Sequence, residues 1–125
     1  MQKKEYKVEN FPFPTNRVCL TLDLKENPEL IAQYKHYHSK EAFWTEIGEG
    51  IQKAGIQLMD IYNIDNRLFM ICEFAEELDF ETIWNKVGDY NRQEEWGQLM
   101  SNYIQALPGH KLGWIKMTRV FSIYK

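Results

Sequence analysis

The chain has 125 residues, 44% of them hydrophobic and 14% aromatic, and a formal net charge of -3. That length suits one domain with a substantial core. The acidic balance leaves no cationic footprint for nucleic acid or an anionic membrane, and no apolar run nears the roughly 20 residues that cross a bilayer.

Residues 1–15 read as an extended arm, because MQKKEYKVEN is polar and the prolines of FPFP disfavour a helix. The charged start lacks an apolar targeting core, so the expected setting is cytoplasmic. Residues 16–125 then read as a single domain. From Arg17, RVCLTLDL places Val18, Leu20, Leu22 and Leu24 on one face, the period of a strand. Asn27 is a helix cap, Pro28 suits a first turn and Glu29 complements the helix dipole.

Helical spacing continues from Pro28 to Ala54, with Gly55 as the stop. Its apolar phase changes on the way. Leu30, Tyr34 and His38 lie near one line, and Trp44, Ile47 and Ile51 lie on another, about a quarter turn away. A straight helix cannot aim both lines at one core. The pattern therefore predicts a break between His38 and Trp44, with His38 at a helix end.

IQLMDIYNI and RLFMICEF are strand-like and joined tightly through Asp65 and Asn66, the signature of a hairpin. LDFETIWNKVG is helical, with Asp79 as cap and Gly88 as break. RQEEWGQLMSNYIQAL resumes helical spacing until Pro108 and Gly109. KLGWIKMTRVFSIYK alternates again, with Ile115, Met117, Phe121 and Ile123 on one face, and predicts a last strand. Cys19 and Cys72 sit in strand-like apolar runs and read as small buried hydrophobes rather than a disulfide.

The order strand, helix, strand, strand, helix, strand is the split βαβ arrangement of a ferredoxin-like βαββαβ fold, in the α+β class. Helices cover one sheet face. The other face needs cover that a second copy, stacked face to face, supplies.

YKHYH, residues 34 to 38, holds two of the three histidines. Tyr34 and His38 are four apart and share a helix face, while His36 points away into solvent. An imidazole with an ordinary pKa of about 6.5 gives or takes a proton at neutral pH, and a phenol beside it orients the ring or a substrate hydroxyl. The same spacing also suits a half-buried pair packed under the sheet. Trp96 of EEWGQLM is either core, with Leu99 and Tyr103, or an aromatic platform for a sugar ring. Glu94 and Glu95 precede it, as solvated charges or as a second proton carrier. No metal or cofactor is expected, because the histidines diverge and no CxxC, HxxxH, GxGxxG, P-loop or GxSxG motif occurs.

Taken in order, RVCLTLDL, NPELIAQYKHYH, FWTEI, the hairpin, EEWGQLM and RVFSI resemble the L-rhamnose mutarotase family over residues 17 to 123. The resemblance implies a fold of the dimeric α/β-barrel type, hence a homodimer. It implies interconversion of the pyranose anomers of a 6-deoxy sugar, L-rhamnose or L-fucose, without a cofactor. It also implies that His38 is the catalytic proton donor, and that Tyr34 and Trp96 contact the substrate. The chain departs from the family pattern at Met59, where a second tyrosine is usual, at Glu95, where a second tryptophan is usual, and at Thr45, where a proline is usual. The rival reading from another class is a non-catalytic ligand-binding or oxygenase-type dimeric ferredoxin-like domain.

Overall fold

A computed structural model describes residues 4–124; residues 1–3 of the arm and Lys125 lie outside the described residues. The elements follow the chain as β1 (Thr15–Leu24), α1 (Pro28–Tyr37), α2 (Thr45–Ala54), β2 (Ile56–Ile64), β3 (Arg67–Ala75), α3 (Phe80–Val87), α4 (Gln93–Met100), β4 (Ile104–Gln105) and β5 (Ile115–Lys116). The sheet order is β2-β3-β1-β4, with β5 also on β1, and every pairing is antiparallel. This is the ferredoxin-like α+β arrangement. The sheet of one chain is open rather than closed into a barrel.

β1 carries the architecture. It pairs with β3 from Thr15↔Ala75 to Asp23↔Arg67. Leu20, Leu22 and Leu24 are buried, as the alternation requires. One core cluster joins Leu20, Met70, Cys72 and Phe74 of the sheet to Ala54 of α2 and to Phe80 and Ile83 of α3. A second joins Leu24 and Leu68 to Tyr34 of α1, Met100 of α4 and Tyr103. All four helices thus lie over one face. The other face carries Arg17, Cys19, Thr21 and Asp23 beside Glu73, Ile71, Phe69 and Arg67. Its two ends are closed by cross-strand ion pairs, Arg17–Glu73 and Arg67–Asp23.

Local chemistry sets the boundaries. The Asn27 side chain accepts from the Glu29 and Leu30 amides at 2.9 and 3.2 Å, which starts α1. Gly55 ends α2 at φ 122°, a region that favours glycine. Asp79 accepts from the Thr82 amide and hydroxyl and starts α3. The β2–β3 turn places Asp65 at φ 51°, which aspartate tolerates better than most residues. That turn is tied to β1: the Leu24 amide donates to the Asn66 carbonyl at 2.6 Å, and Asn66 Nδ2 donates to the Leu24 carbonyl at 2.9 Å.

The helical region after β1 is broken between residues 38 and 44, as the phase change predicts. Two expectations need correction. The helix around Trp96 ends at Met100 rather than running to Leu107. Ile104 and Gln105 turn out of helical geometry because they pair with Leu24 and Asp23. The last strand is only Ile115–Lys116, and Phe121 and Ile123 are exposed instead of lining a sheet face. Alternation in 117–124 is real, but beyond the Met117 amide, which donates to the Cys19 carbonyl, no strand of the same chain pairs with it among the described residues.

Candidate functional site

The end of α1 brings the two residues of the Tyr-x-x-x-His pair into contact. Tyr34 and His38 have ring centroids 4.2 Å apart with planes tilted by 31°. His38 caps α1, at φ -100° and ψ 6°, so its side chain stands where the helix has stopped. The indole of Trp96, from the first turn of α4, meets the His38 ring edge-on at 5.4 Å. The three residues that the sequence singles out therefore converge.

The histidine's tautomer follows from its neighbour. His38 Nδ1 lies 2.8 Å from the Tyr34 carbonyl oxygen. A carbonyl only accepts, so Nδ1 carries the proton and donates. Nε2 is left with no protein partner among the described residues. Burial holds the imidazole below its usual pKa, and the bond to the Tyr34 carbonyl offsets this only in part. At neutral pH His38 is a neutral ring with a free lone pair on Nε2.

Tyr34 is 5% exposed, and burial pushes its phenol well above the ordinary tyrosine range. It stays protonated and acts as a hydrogen-bond donor. Its hydroxyl makes no bond to protein, yet no side-chain oxygen or nitrogen among the described residues is both buried and unpartnered. That oxygen therefore reaches an opening.

Further aromatic residues complete the cluster, and sequence reasoning missed their role. Phe43 stacks on His38 at 6.2 Å and meets Trp96 at 5.4 Å. Trp44 meets Trp96 at 5.1 Å instead of joining Ile47 in the core. Tyr37 touches Trp96 at 6.5 Å and Tyr103 at 6.0 Å. The signal was the density of aromatics near the break, but only the turn at 38–44 reveals which way they face.

Arg92 fixes this arrangement from outside. Its guanidinium lies 4.1 Å above the Trp44 ring and bridges Glu46 of α2 and Glu95 of α4 at 3.1 and 3.0 Å. Glu95 is engaged by Arg92 instead: its side chain is 59% exposed, and hydrogen bonding to Arg92 holds its carboxyl below the usual range. Met59 packs on the first core cluster. His36 is exposed, as its spacing predicts.

Three surface cavities lie elsewhere: beside the turns at Asn27 and Asn66, between the arm and β2 at Tyr6 and Tyr62, and along α4 at Arg92 and Glu95. None is lined by Tyr34, His38 or Trp96. Nε2 of half-buried His38, unpartnered among the described residues, is, like the Tyr34 hydroxyl, not sealed off by the rings around it. Among the described residues, no three His, Cys, Asp or Glu side chains group as metal ligands, and no helix is long and apolar enough to cross a membrane.

Comparison with known proteins adds lineage to this geometry. The family model described as L-rhamnose mutarotase matches residues 17–123. An L-fucose mutarotase of Xanthomonas campestris pv. campestris is 32% identical over 109 residues, covering 86% of this chain and 87% of the relative. A UPF0734 protein of Dictyostelium discoideum is 32% identical over 108 residues, covering 82% and 85%. Among solved structures, the L-rhamnose mutarotase of Formosa agariphila superposes with a TM-score of 0.58 at 18% identity, over 86% of this chain and 98% of that one. A dimeric ferredoxin-like protein from an uncultured marine organism gives 0.53 at 12% identity, over 87% and 97%. At such identities these two structures bear on the fold alone.

Proposed function

This chain belongs to the L-rhamnose mutarotase family, and on that premise we propose that it interconverts the α and β pyranose anomers of a 6-deoxyhexose, with His38 as the proton carrier. That it is a sugar mutarotase, an isomerase, follows from the family. The sugar, the residues and the route are the proposal. The observation that carries it is the meeting of a neutral His38, its Nε2 free, with the Tyr34 phenol and the Trp96 indole in one aromatic cluster.

Nε2 of His38 takes the proton from the anomeric hydroxyl. The C1–O5 bond breaks as the C1–O1 bond becomes a carbonyl. O1 and O5 share one carbon, so the same imidazolium returns the proton to O5, and the balance closes on a single residue. The open chain turns about C1–C2 and closes on the other face by the same steps reversed. His38 thus starts as base and ends as the proton donor that the resemblance implies. Tyr34 donates a hydrogen bond without giving up its proton, and Trp96 offers an apolar face to C5 and its methyl group. The sugar approaches past Phe43, which stacks on His38 from the connection between α1 and α2. Positioned acid–base catalysis supplies on the order of 10²–10⁴-fold, enough for a reaction that already proceeds slowly in water.

Of the two sugars, L-fucose is favoured by the 32% identity to an L-fucose mutarotase. We also infer that two copies associate through the helix-free face of the sheet, which would complete a barrel of the dimeric type. The test of function is saturation-transfer NMR of anomer exchange with L-fucose and L-rhamnose. Exchange above the buffer rate that vanishes in His38→Ala is expected; undiminished exchange in that variant removes His38 from the mechanism.

A further inference from the structure

The arm runs beside the outer edge of β2 without joining the sheet. Among the described residues, no backbone hydrogen bond links the two. What joins them is a ring contact, in which Tyr6 meets Tyr62 edge-on at 5.9 Å. The arm thus stands off the strand and leaves a cleft of about 820 Å³, within the roughly 300–1,000 Å³ of small-molecule sites. Lys4, Tyr6 and Lys7 of the arm line it, with Asp60 and Tyr62 of β2 and Lys35 of α1. Tyr34, His38 and Trp96 do not, so the cleft is separate from the aromatic cluster.

Its charge runs against that of the whole chain. The molecule carries -3, yet three lysines and one carboxylate border this cleft. Among the described residues, neither the three lysines nor Asp60 forms an ion pair. Lys35 also borders the cavity at Asn27 and Asn66, but it pairs with neither Glu26 nor Asp65 there. Like charges gathered at one cleft repel until an anion sits among them. A lysine ammonium is a compact point charge and a common partner of phosphate. The rest of the lining asks for more than an inorganic ion. Tyr6 and Tyr62 are exposed rings that offer an apolar face to the C–H face of a sugar. Asp60 would repel a bare phosphate but accepts from sugar hydroxyls.

We propose that this cleft is a second binding site, which takes the phosphate monoester of a sugar. The phosphate lies among Lys4, Lys7 and Lys35, and the sugar ring rests against Tyr6 and Tyr62 with its hydroxyls towards Asp60. The site goes beyond the proton-transfer reading and does not depend on it.

The test is a titration of the full ¹⁵N-labelled chain, followed by amide shifts in NMR. The probes are glucose 6-phosphate and L-fucose 1-phosphate, with inorganic phosphate and L-fucose as the two halves alone. Saturable shifts in the amides of 4–7 and 60–64 with at least one ester are expected, at concentrations below those that inorganic phosphate or L-fucose needs. Lys35→Ala, at an exposed position, should weaken the ester about tenfold or more. Tyr62→Ala, also exposed, should bring ester binding down to that of inorganic phosphate. Far-UV circular dichroism checks that both variants keep the fold. Shifts that never saturate, or that appear elsewhere, overturn the site. Equal affinity for inorganic phosphate and the esters overturns the sugar-phosphate assignment, and so does an unaltered ester affinity in either variant.

Discussion

His38 donates Nδ1–H to the carbonyl of Tyr34 at 2.8 Å while its ring rests 4.2 Å from the ring of the same residue. One residue thus fixes both, the tautomer of the imidazole through its backbone carbonyl and the tilt through its ring. The rings around it, Tyr34, Phe43 and Trp96, are uncharged, so burial dominates its titration.

This sets the pH profile. The working form of His38 is neutral, and its folded-state pKa is lowered from 6.5. Enzyme-dependent anomer exchange is expected to be flat through neutrality and to fall on acidification with a midpoint below 6.5. Activity that rises on acidification through that range would show that the protonated ring is the resting form. Stability follows the same sign. The unfolded chain protonates its histidine first, so stability is complete above 6.5 and declines as pH falls towards the folded-state pKa. Denaturant melts of His38→Gln should lack that component.

Tyr34→Phe separates packing from chemistry. The hydroxyl has no protein partner among the described residues, so its loss is expected to change stability by less than about 1 kcal/mol. Tyr34→Ala removes a buried ring and is expected to cost about 3–5 kcal/mol. Exchange rates should drop in the phenylalanine variant despite its normal melt. Unchanged rates there would confine Tyr34 to the core.

Trp96 reports occupancy. Titration with L-fucose or L-rhamnose is expected to quench tryptophan emission, and Trp96→Phe should abolish most of the change while Trp84, in the other cluster, still emits. An equal response in the variant would place the sugar away from α4.

Gly50 holds α2 against the segment leading into α4. A Cβ there would stand 2.8 Å from both Tyr90 Cβ and Gln93 Nε2, and Gln93 Nε2 itself donates to the Ile47 carbonyl at 2.9 Å. Gly50→Ala gains helix propensity of about 1 kcal/mol but overpacks by about 1–3 kcal/mol. A net loss of roughly 1 kcal/mol, with slower exchange because Trp96 shifts with α4, is expected in thermal melts and kinetics. A more stable Gly50→Ala protein would show that the two elements are not held at contact distance.

The sequence by itself determined the elements whose signals are local. The period-two runs of β1, β2 and β3, the Asn27 and Asp79 caps, the Gly55 stop and the phase slip after His38 act within a few residues of themselves, and the chain obeys them. The pairing of Tyr34 with His38 was legible for the same reason, as two side chains one turn apart. Tertiary structure alone decided the rest. It sent Phe43 and Trp44 onto Trp96, and it bound Glu95 to Arg92. It stopped α4 at Met100 so that Ile104 could pair with Leu24, and it left 118–124 without a strand partner among the described residues. These outcomes depend on which distant surfaces meet, and a hydrogen bond or ring contact between residues far apart in sequence leaves no periodic trace in either stretch.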